Sequence, residues 1–415
     1  MKCMKRYFLL ISVLFLMVLT GCSNEENSGS VTSIKVQPNF KIEFTQQDLQ
    51  TCEGLKSFYV KLMAEVLDND ALVEFEGKNF AISPLSCAID MAMLANSTDN
   101  LSAKKICNIL EVTDLETLGA ACNKLMTYLP APENGAEFGL ANAVWYADRN
   151  APYIPDSYIK SMNSTYFADV NSADLASESG KGVINAWVNS KTNGLIKNLD
   201  GLYEPSPSTE ALILNALYFN GEWDSKFEVK RTKDEIFHAP DGDVSVKMMH
   251  NTLRTTAYED DKRIMFRLPF KYRESYMVFV LPNEGCSLTD AWSDIENCDS
   301  GWSAYDLKVS VPKFSTESTL KLGQLPMLQT VGACSLNGMG IPTGRIGKIG
   351  QKTSVNIDEE GAKMAAVTTD HWVTADNESV KKGVVVLDRP FLFYVSNFKT
   401  GAVIMAGRVL DPTKN

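Results

Sequence analysis

The chain has 415 residues, and its 51 Asp and Glu residues outnumber its 40 Lys and Arg residues, leaving a formal net charge of −11. This acidic balance argues against nucleic acid as a partner and provides no basic patch for other polyanions. The length exceeds that of a usual single domain, but no internal repeat and no second linker divides the chain.

The amino-terminal residues have the pattern of a targeting signal. Three basic residues, Lys2, Lys5 and Arg6, precede an apolar run over residues 7–19. This run is too short for a spanning helix, which needs about twenty residues. It ends in Leu-Thr-Gly followed by Cys22, which resembles the lipobox of bacterial lipoproteins. The resemblance implies a signal peptide over residues 1–21 and lipid modification of Cys22. An ordinary signal peptide with an unmodified cysteine is the alternative.

The residues after Cys22 indicate where such a lipoprotein is sent. Ser23 is not the aspartate that retains lipoproteins in the inner membrane, so the resemblance favours an outer-membrane lipoprotein. Glu25 and Glu26 resemble the acidic export signal of some surface-exposed lipoproteins. Residues 22–45 are polar and predict a flexible tether. A lipid anchor at Cys22 would then hold one folded domain, residues 46–415, at the membrane.

The first part of the domain predicts helices. Apolar residues recur at helical spacing over residues 58–67. Ser83 and Ser86, with Pro84 between them, are typical of a helix start, and the apolar run 87–94 predicts a buried helix. Ser83 or Ser86 as a catalytic nucleophile is the alternative, but no histidine lies near them in sequence.

Strand patterns dominate the rest of the chain. They occur at residues 138–146, 212–219, 244–249, 264–269, 276–281, 353–358 and 384–395. Because helices come first and strands later, with some mixing, the order predicts an α+β fold rather than a regular βαβ repeat.

Residues 359–379, between the last two predicted strands, form an unusually long connection. They contain only one glycine and no proline, and their first half is small or β-branched. A disordered linker would be richer in Gly, Pro and Ser, so we interpret the segment as a loop that can become a strand. An ordinary edge strand with a long turn is the alternative.

Motifs spread from about Phe58 to Pro412 resemble the serpin family in their order. The carriers are Asn79 with Ser83-Pro84-Leu85-Ser86; Ile184-Asn185 with Trp187-Val188, Thr192 and Gly194; residues 215–223 with Phe227; Lys247-Met248-Met249; Leu268-Pro269-Phe270 with Leu281-Pro282; Val311-Pro312-Lys313-Phe314; Asp358-Glu359-Glu360-Gly361; residues 388–393; and Gly407-Arg408-Val409.

The resemblance implies the serpin fold, with three β-sheets, about nine helices and an exposed reactive-centre loop. It also implies a metastable native state, kept by a kinetic barrier. A serpin is attacked by its target protease at the loop, which then inserts into the large sheet and distorts the protease. The implied function is therefore a serine-type endopeptidase inhibitor and not an enzyme.

The family pattern assigns a hinge to the first residues of the loop. The hinge residues are Glu359, Glu360, Gly361, Ala362, Lys363, Met364, Ala365 and Ala366. A strand that inserts must point every second side chain inward, which selects Ala362, Met364, Ala366 and Thr368. Ala362 is permissive, whereas Met364 replaces the family's usual alanine. Overpacking by a larger side chain can cost roughly 1–3 kcal/mol, although methionine adapts to irregular space.

The reactive bond is counted from the hinge. About fourteen residues after the hinge glycine, the family pattern points to the bond between Ala375 and Asp376, with Trp372, Val373 and Thr374 as specificity residues. Counting back from Pro390 instead gives a position near Ser379. Small residues before the bond favour an elastase-like target, with subtilisin-like and cysteine proteases as alternatives. Trypsin-like targets would require cleavage at Lys381 or Lys382.

The remaining expectations concern partners and alternatives. Trp223 is expected at the top of the large sheet where the hinge enters, and a plain core tryptophan is the other interpretation. The seven cysteines outside the signal are odd in number and form no CxxC pair, so neither a disulfide framework nor a zinc site is indicated. We expect a monomer without metal or cofactor. The rival function is a non-inhibitory serpin that acts as a cell-surface binding protein.

Overall fold

The computed structural model describes residues 36–71, 74–194, 196–345, 350–362 and 380–414. The predicted signal peptide, Cys22 and residues 363–379 lie outside this part of the chain. Within it, no helix is both long enough and apolar enough to cross a membrane.

The described helices include both helical segments predicted from the sequence, and the first helix begins twelve residues before the predicted segment 58–67. They are α1 (Gln46–Asp68), α2 (Pro84–Ser97), α3 (Asn100–Ile109), α4 (Leu115–Tyr128), α5 (Asp156–Tyr166), α6 (Glu178–Lys191), α7 (Leu288–Trp292) and α8 (Pro326–Gln329). Helix α1 contains the predicted residues 58–67. Ser83 is the N-cap of α2, and its side chain accepts a hydrogen bond from the Ser86 backbone N–H while Pro84 opens the helix. The Ser83 hydroxyl also donates to the Ile404 carbonyl at 2.7 Å, which gives this buried serine a structural role.

Most of the described strands lie in the second half of the chain, and the first of them is short. They are β1 (Phe80–Ile82), β2 (Ala136–Ala147), β3 (Ala168–Ala173), β4 (Ala211–Glu222), β5 (Lys233–Ala239), β6 (Gly242–Glu259), β7 (Arg263–Pro269), β8 (Ser275–Pro282), β9 (Ser303–Pro312), β10 (Phe314–Leu320), β11 (Ser335–Leu336), β12 (Ile341–Arg345), β13 (Gln351–Ile357), β14 (Gly361–Ala362), β15 (Lys381–Val386), β16 (Phe391–Asn397) and β17 (Val403–Val409).

One predicted strand is wrong in its extent. Residues 384–395 form two strands, β15 and β16, rather than one continuous strand. Strand β15 is parallel to β9, whereas β16 is antiparallel to β8 and β17. Pro390 lies between them, and a proline has no N–H for a ladder and restricts the residue before it. The two strands therefore occupy different positions in one sheet.

Strand β6 joins two groups of strands into one hydrogen-bonded sheet. The described order is β1-β17-β16-β8-β7-β6-β9-β15, with β5 also paired to β6. Different stretches of the long β6 pair with β5, with β9 and with β7. Two of the three family sheets are thus continuous here through a shared strand.

The third, large sheet is divided in the described residues. One part has the order β14-β4-β2-β3, and the other is the antiparallel pair β10-β13. Strand β2 pairs with β4 along its whole length, whereas β14 pairs with β4 only at Gly221 and Glu222. Strand β14 also contacts β13, so it sits between the ends of β4 and β13.

The two faces of β4 pack against different layers. Ile213, Leu217 and Phe219 pack against the main core, which includes the buried face of α2. Leu212 and Leu214, which alternate with them, pack against a second cluster around Trp187 of α6. This alternation follows from the two-residue period of a strand. In a strand added beside β4, the side chains opposite Ile213, Leu217 and Phe219 would therefore point toward the main core.

Candidate functional site

The hinge begins with a tight turn between β13 and β14. The Asp358 carboxylate accepts hydrogen bonds from the backbone N–H groups of Glu360, at 2.9 Å, and Gly361, at 3.3 Å. The Asp358 N–H donates to the Gly361 carbonyl at 3.1 Å. A side chain that bonds its own backbone two residues on is the usual way in which aspartate stabilises a turn. The turn directs the chain back along β4.

Glu359 connects this turn to two other segments of the protein. Its carboxylate is buried, accepting hydrogen bonds from the Lys313 ammonium at 2.7 Å and the Thr232 hydroxyl at 2.8 Å. Burial by itself raises the pKa of Glu359, but the hydrogen bonds from Lys313 and Thr232 outweigh it, so the pKa lies below its ordinary value. Glu359 is therefore charged at neutral pH and fixed to two other segments.

Glu360, the next residue, points to solvent. Its carboxylate pairs with the Lys226 ammonium at 2.7 Å, and Lys226 also pairs with Glu222. Surface pairs of this kind contribute little to stability. The two adjacent glutamates therefore differ in role: Glu359 fixes the hinge, and Glu360 lies on its outer side.

Gly361 and Ala362 form the first two residues of a strand beside β4. Gly361 has φ +151°, and a Cβ there would lie 2.0 Å from the Gly221 carbonyl oxygen. Glycine is thus required by the close approach of the two backbones. Ala362 pairs with Gly221, is 8% exposed and belongs to the main core. Its side chain therefore faces inward, as the alternation argument expects.

Trp223 lies directly beneath the hinge. Its indole N–H donates to the Asp358 carbonyl at 3.0 Å, and its backbone N–H donates to the Glu360 carbonyl at 3.0 Å. The ring is buried and stacks on Phe270 with centroids 4.9 Å apart. Trp223 is both a core tryptophan and a hinge contact, so the two interpretations of this residue are compatible.

The edge of β4 beyond the hinge is open among the described residues. From position 211 to 219, the side of β4 that faces away from β2 has no strand partner in the described part of the chain. Strand β13 likewise pairs only with β10 there. Asn215, on the inward face of β4, has a buried Oδ1 atom for which the described residues supply no hydrogen-bond partner. Open edges and unpaired buried acceptors are both features that an added strand would satisfy.

The remaining predicted site residues lie outside the described part of the chain. These are Lys363, Met364, Ala365, Ala366, Trp372, Val373, Thr374, Ala375 and Asp376, together with Cys22. On the carboxyl side, Lys381 and Lys382 belong to β15 and pair with Tyr305 and Asp306 of β9. A bond inside a paired strand is poorly accessible to a protease, so the geometry disfavours the trypsin-like alternative.

The structure adds hinge residues that sequence reasoning did not identify. Lys313 stood in a quoted motif without an assigned role, and Thr232 carried no recognisable signal. Both meet Glu359 only because β9, β10 and the segment before β5 converge there. Cys87, Cys107 and Cys122 are buried, and no disulfide joins the seven cysteines of the described residues. No metal-binding cluster occurs among the described residues.

Comparison with known proteins identifies the family. A family model described as serpin (serine protease inhibitor) matches residues 53–412. An uncharacterized serpin-like protein of Thermococcus kodakarensis is 27% identical over 437 aligned positions, covering 99% of both chains. The native-state crystal structure of the thermophilic serpin tengpin aligns with a TM-score of 0.75 at 24% identity, over 91% of this chain and 97% of that one.

Thyroxine-binding globulin in complex with thyroxine aligns with a TM-score of 0.73 at 19% identity, over 89% of this chain and all of that one. At these identities, the structural likenesses establish the fold alone. The family model spans most of the chain, and serpins generally inhibit serine proteases. The chain is a member of the serpin family and has the serpin fold.

Proposed function

We propose that this protein traps serine proteases of elastase-like specificity by inserting its cleaved reactive loop as a strand between β4 and β13. The observation that carries the proposal is the hinge. Gly361 and Ala362 are already paired with the end of β4, and the edge of β4 continues without a strand partner among the described residues. Continuing an existing strand avoids the cost of nucleating a new pairing.

The register of the hinge assigns a partner to each residue that would follow. Gly361 is opposite Glu222 and Ala362 is opposite Gly221, so each later loop residue would meet the preceding residue of β4. Thr368 would then lie opposite Asn215. Its hydroxyl could donate to the Asn215 Oδ1 atom, which lacks a partner. A buried acceptor without a partner costs about 1–3 kcal/mol, so satisfying it supports insertion.

The same register gives Met364 a defined surrounding. It would lie opposite Phe219, whose ring contacts Phe138 and Phe270 with centroid distances of 5.2 and 4.9 Å. Methionine sulfur makes favourable contacts with aromatic rings, worth about 0.3–1.5 kcal/mol. The contact offsets part of the overpacking expected from a side chain larger than alanine.

The segment that a target protease would cleave surrounds the bond between Ala375 and Asp376. Small residues at Thr374 and Ala375 fit a protease with a small apolar specificity pocket. Subtilisin-like and cysteine proteases are further candidates for the same segment.

Incubation with pancreatic or neutrophil-type elastase tests the proposal. We expect a complex that survives denaturing electrophoresis, and mass spectrometry of the released peptide should place the cut after Ala375. A cut near Ser379 would move the bond but keep the mechanism. If only clipped protein forms, and clipping does not raise its melting temperature, the inhibitory proposal is wrong and the non-inhibitory binding function takes its place.

We also propose that Cys22 carries the lipid that anchors the domain to the outer membrane. The support is the order of basic residues, apolar run and cysteine at the amino end. A Cys22→Ser variant should leave the membrane fraction and retain protease trapping. Mass spectrometry of the wild-type mature amino terminus should show an acylated Cys22, and an unmodified terminus would overturn the assignment.

A further inference from the structure

Helix α2 carries one carboxylate in an otherwise apolar surrounding. Asp90 is flanked by buried Ile89 and Met91, and it lies in the helix packed beneath β4. The residue as a whole is partly exposed, but its Oδ1 atom is fully buried and has no hydrogen-bond partner among the described residues. A buried carboxylate oxygen without a partner is costly and rare in native proteins. Its retention calls for an explanation.

Asp90 lines a partly enclosed cavity of about 460 Å³. The apolar lining comes from Met91 and Leu94 of α2, Ile213 of β4, and Leu202 and Leu336. The volume falls within the roughly 300–1,000 Å³ typical of small-molecule sites, which are mostly apolar with a few placed polar groups. The cavity therefore combines apolar walls with the carboxylate of Asp90, and Glu204 and Glu210 also line it.

The other charged groups around the cavity are already paired. Glu204 pairs with Lys181 at 2.9 Å, and Glu210 pairs with Arg149 at 3.0 Å. The Tyr203 hydroxyl donates to the Leu175 carbonyl at 2.8 Å. Cys87, one helical turn before Asp90, is a buried thiol whose pKa is raised by burial and by the neighbouring carboxyl. Among the described residues no cation pairs with Asp90, which leaves its carboxylate available to a cationic group of a ligand.

We propose that this cavity is a binding site for an apolar ligand with a positively charged amino group, in which the ammonium pairs with Asp90 and the hydrocarbon part contacts Met91, Leu94 and Ile213. Charge complementarity selects a cation, and the apolar lining selects a hydrocarbon body over a metal ion. Ammonium donors would satisfy the Oδ1 atom, for which the described part of the chain supplies no partner.

Burial raises the pKa of Asp90 well above its ordinary value. In the empty cavity, the carboxyl group is therefore protonated more readily than an exposed aspartate. An ammonium ligand stabilises the ionised form, so its affinity should increase as the pH rises and the empty-site carboxyl loses its proton. A neutral alcohol of the same length should show no such increase.

Isothermal titration calorimetry with octylammonium, 1-octanol and octanoate tests the site. We expect saturable binding of octylammonium, weaker binding of 1-octanol and still weaker binding of octanoate. Asp90→Asn keeps the shape of the side chain, and it should weaken octylammonium binding roughly tenfold or more while leaving 1-octanol unchanged. Asp156→Asn removes an exposed aspartate of α5 and should change neither affinity.

Two further measurements test whether the ligand binds in the cavity and whether its charge contributes to affinity. Ile213→Trp fills the cavity and should reduce the binding of both octylammonium and 1-octanol. Titration between about pH 5 and pH 8 should strengthen octylammonium binding to the wild type but not to Asp90→Asn. Equal octylammonium affinity in wild type and Asp90→Asn, or unchanged binding in Ile213→Trp, would overturn the site.

A consequence for protease trapping rests on the proposed function. Ile213 lies on the β4 edge along which the loop would insert, so a bound amine would occupy part of that path. Octylammonium should lower the yield of wild-type elastase complex and leave the yield of Asp90→Asn unchanged. If octylammonium does not change the yield of wild-type elastase complex, this consequence is wrong. Absence of complex without amine would instead contradict the proposed function and leave the calorimetric test standing.

Discussion

At the scale of single residues, the two hinge glutamates illustrate how burial decides what a charge does. Glu359 is buried against Lys313 and Thr232, whereas Glu360 reaches Lys226 at the surface. The sequence presents them as an identical pair. Only the position of the turn makes one of them a structural anchor.

Replacing Glu359 with Gln should lower the melting temperature at neutral pH by about 1–2 °C, because the anchor loses its charge. The effect is small because Lys313 is partly exposed and solvent screens the pair. The folded-state pKa of Glu359 is lowered, so its contribution is present above the ordinary carboxyl pKa and lost as the pH falls through the folded value.

Thermal unfolding of wild type and Glu359→Gln from neutral to acidic pH checks this prediction. The difference between them should disappear at acidic pH. Glu360→Gln serves as the matched control and should resemble wild type throughout. A constant difference across the pH range would assign the effect to shape rather than charge.

Ala362 is the residue at which the size of a side chain should matter most. It is buried opposite Gly221, where even an added Cβ would lie 2.5 Å from the Phe270 ring. We expect Ala362→Arg to convert the protein from an inhibitor into a substrate, with the elastase complex reduced at least about tenfold, because a buried unpaired charge opposes insertion.

The measurement is the ratio of complex to clipped protein on a denaturing gel. Ala365→Arg places the same charge at an outward position of the loop and should keep the wild-type ratio. Normal trapping by Ala362→Arg would contradict the assignment of Ala362 to the inner face.

At the scale of elements, the pairing of β14 with β4 determines what an inserted strand would meet. Under the proposed insertion, continuing the register would bring Asp370 opposite Ile213, beside the cavity that Asp90 lines. Two carboxyl groups would then share an apolar space. Like charges there cannot both ionise cheaply, so at least one pKa must rise.

The loop-cleaved protein should therefore become more stable to heat as the pH falls from about 8 to about 5. Protonation would relieve the repulsion between the two carboxylates, at least one of which would have a raised pKa in the inserted state. Asp370→Asn should be more stable than wild type near pH 8 and should lose most of the pH dependence.

Thermal unfolding of the cleaved proteins at several pH values provides the measurement. Asp376→Asn, beyond the proposed bond, controls for the charge of the loop and should behave as wild type. A pH profile of Asp370→Asn that matches wild type would show that the strand does not reach Ile213 in this register.

At the scale of the whole molecule, the edges of β4 and β13 that have no strand partner among the described residues offer stabilisation to an inserted strand. An inserted strand of about ten residues would add roughly ten backbone hydrogen bonds, each worth about 1 kcal/mol. Cleavage in the loop should therefore raise the melting temperature by about 10 °C or more for a domain of this size.

Differential scanning calorimetry before and after limited cleavage measures that change. Cleaved Ala362→Arg should show a much smaller rise, because its strand is blocked at the first inward position. An unchanged melting temperature after cleavage of wild type would mean that the loop does not insert.

Much of this architecture follows from local pattern. The N-cap at Ser83, the helix in α1 and the apolar strand β4 depend on neighbours in sequence, and they form where the sequence predicts them. The hinge glycine and the small Ala362 were also visible in the sequence. The single long strand over residues 384–395 was wrong, because the direction of a chain around Pro390 depends on which sheet positions are free.

What the sequence by itself determined is the family, the order of elements and the small residue at position 362, since these depend on residue type and local pattern. The tertiary structure alone decided that Glu359 is anchored by Lys313 and Thr232, and that β14 pairs with β4 in a single register. It also placed Asp90 in the cavity beside that edge. These contacts join segments far apart in sequence, so burial and pairing appear only once the sheets are assembled.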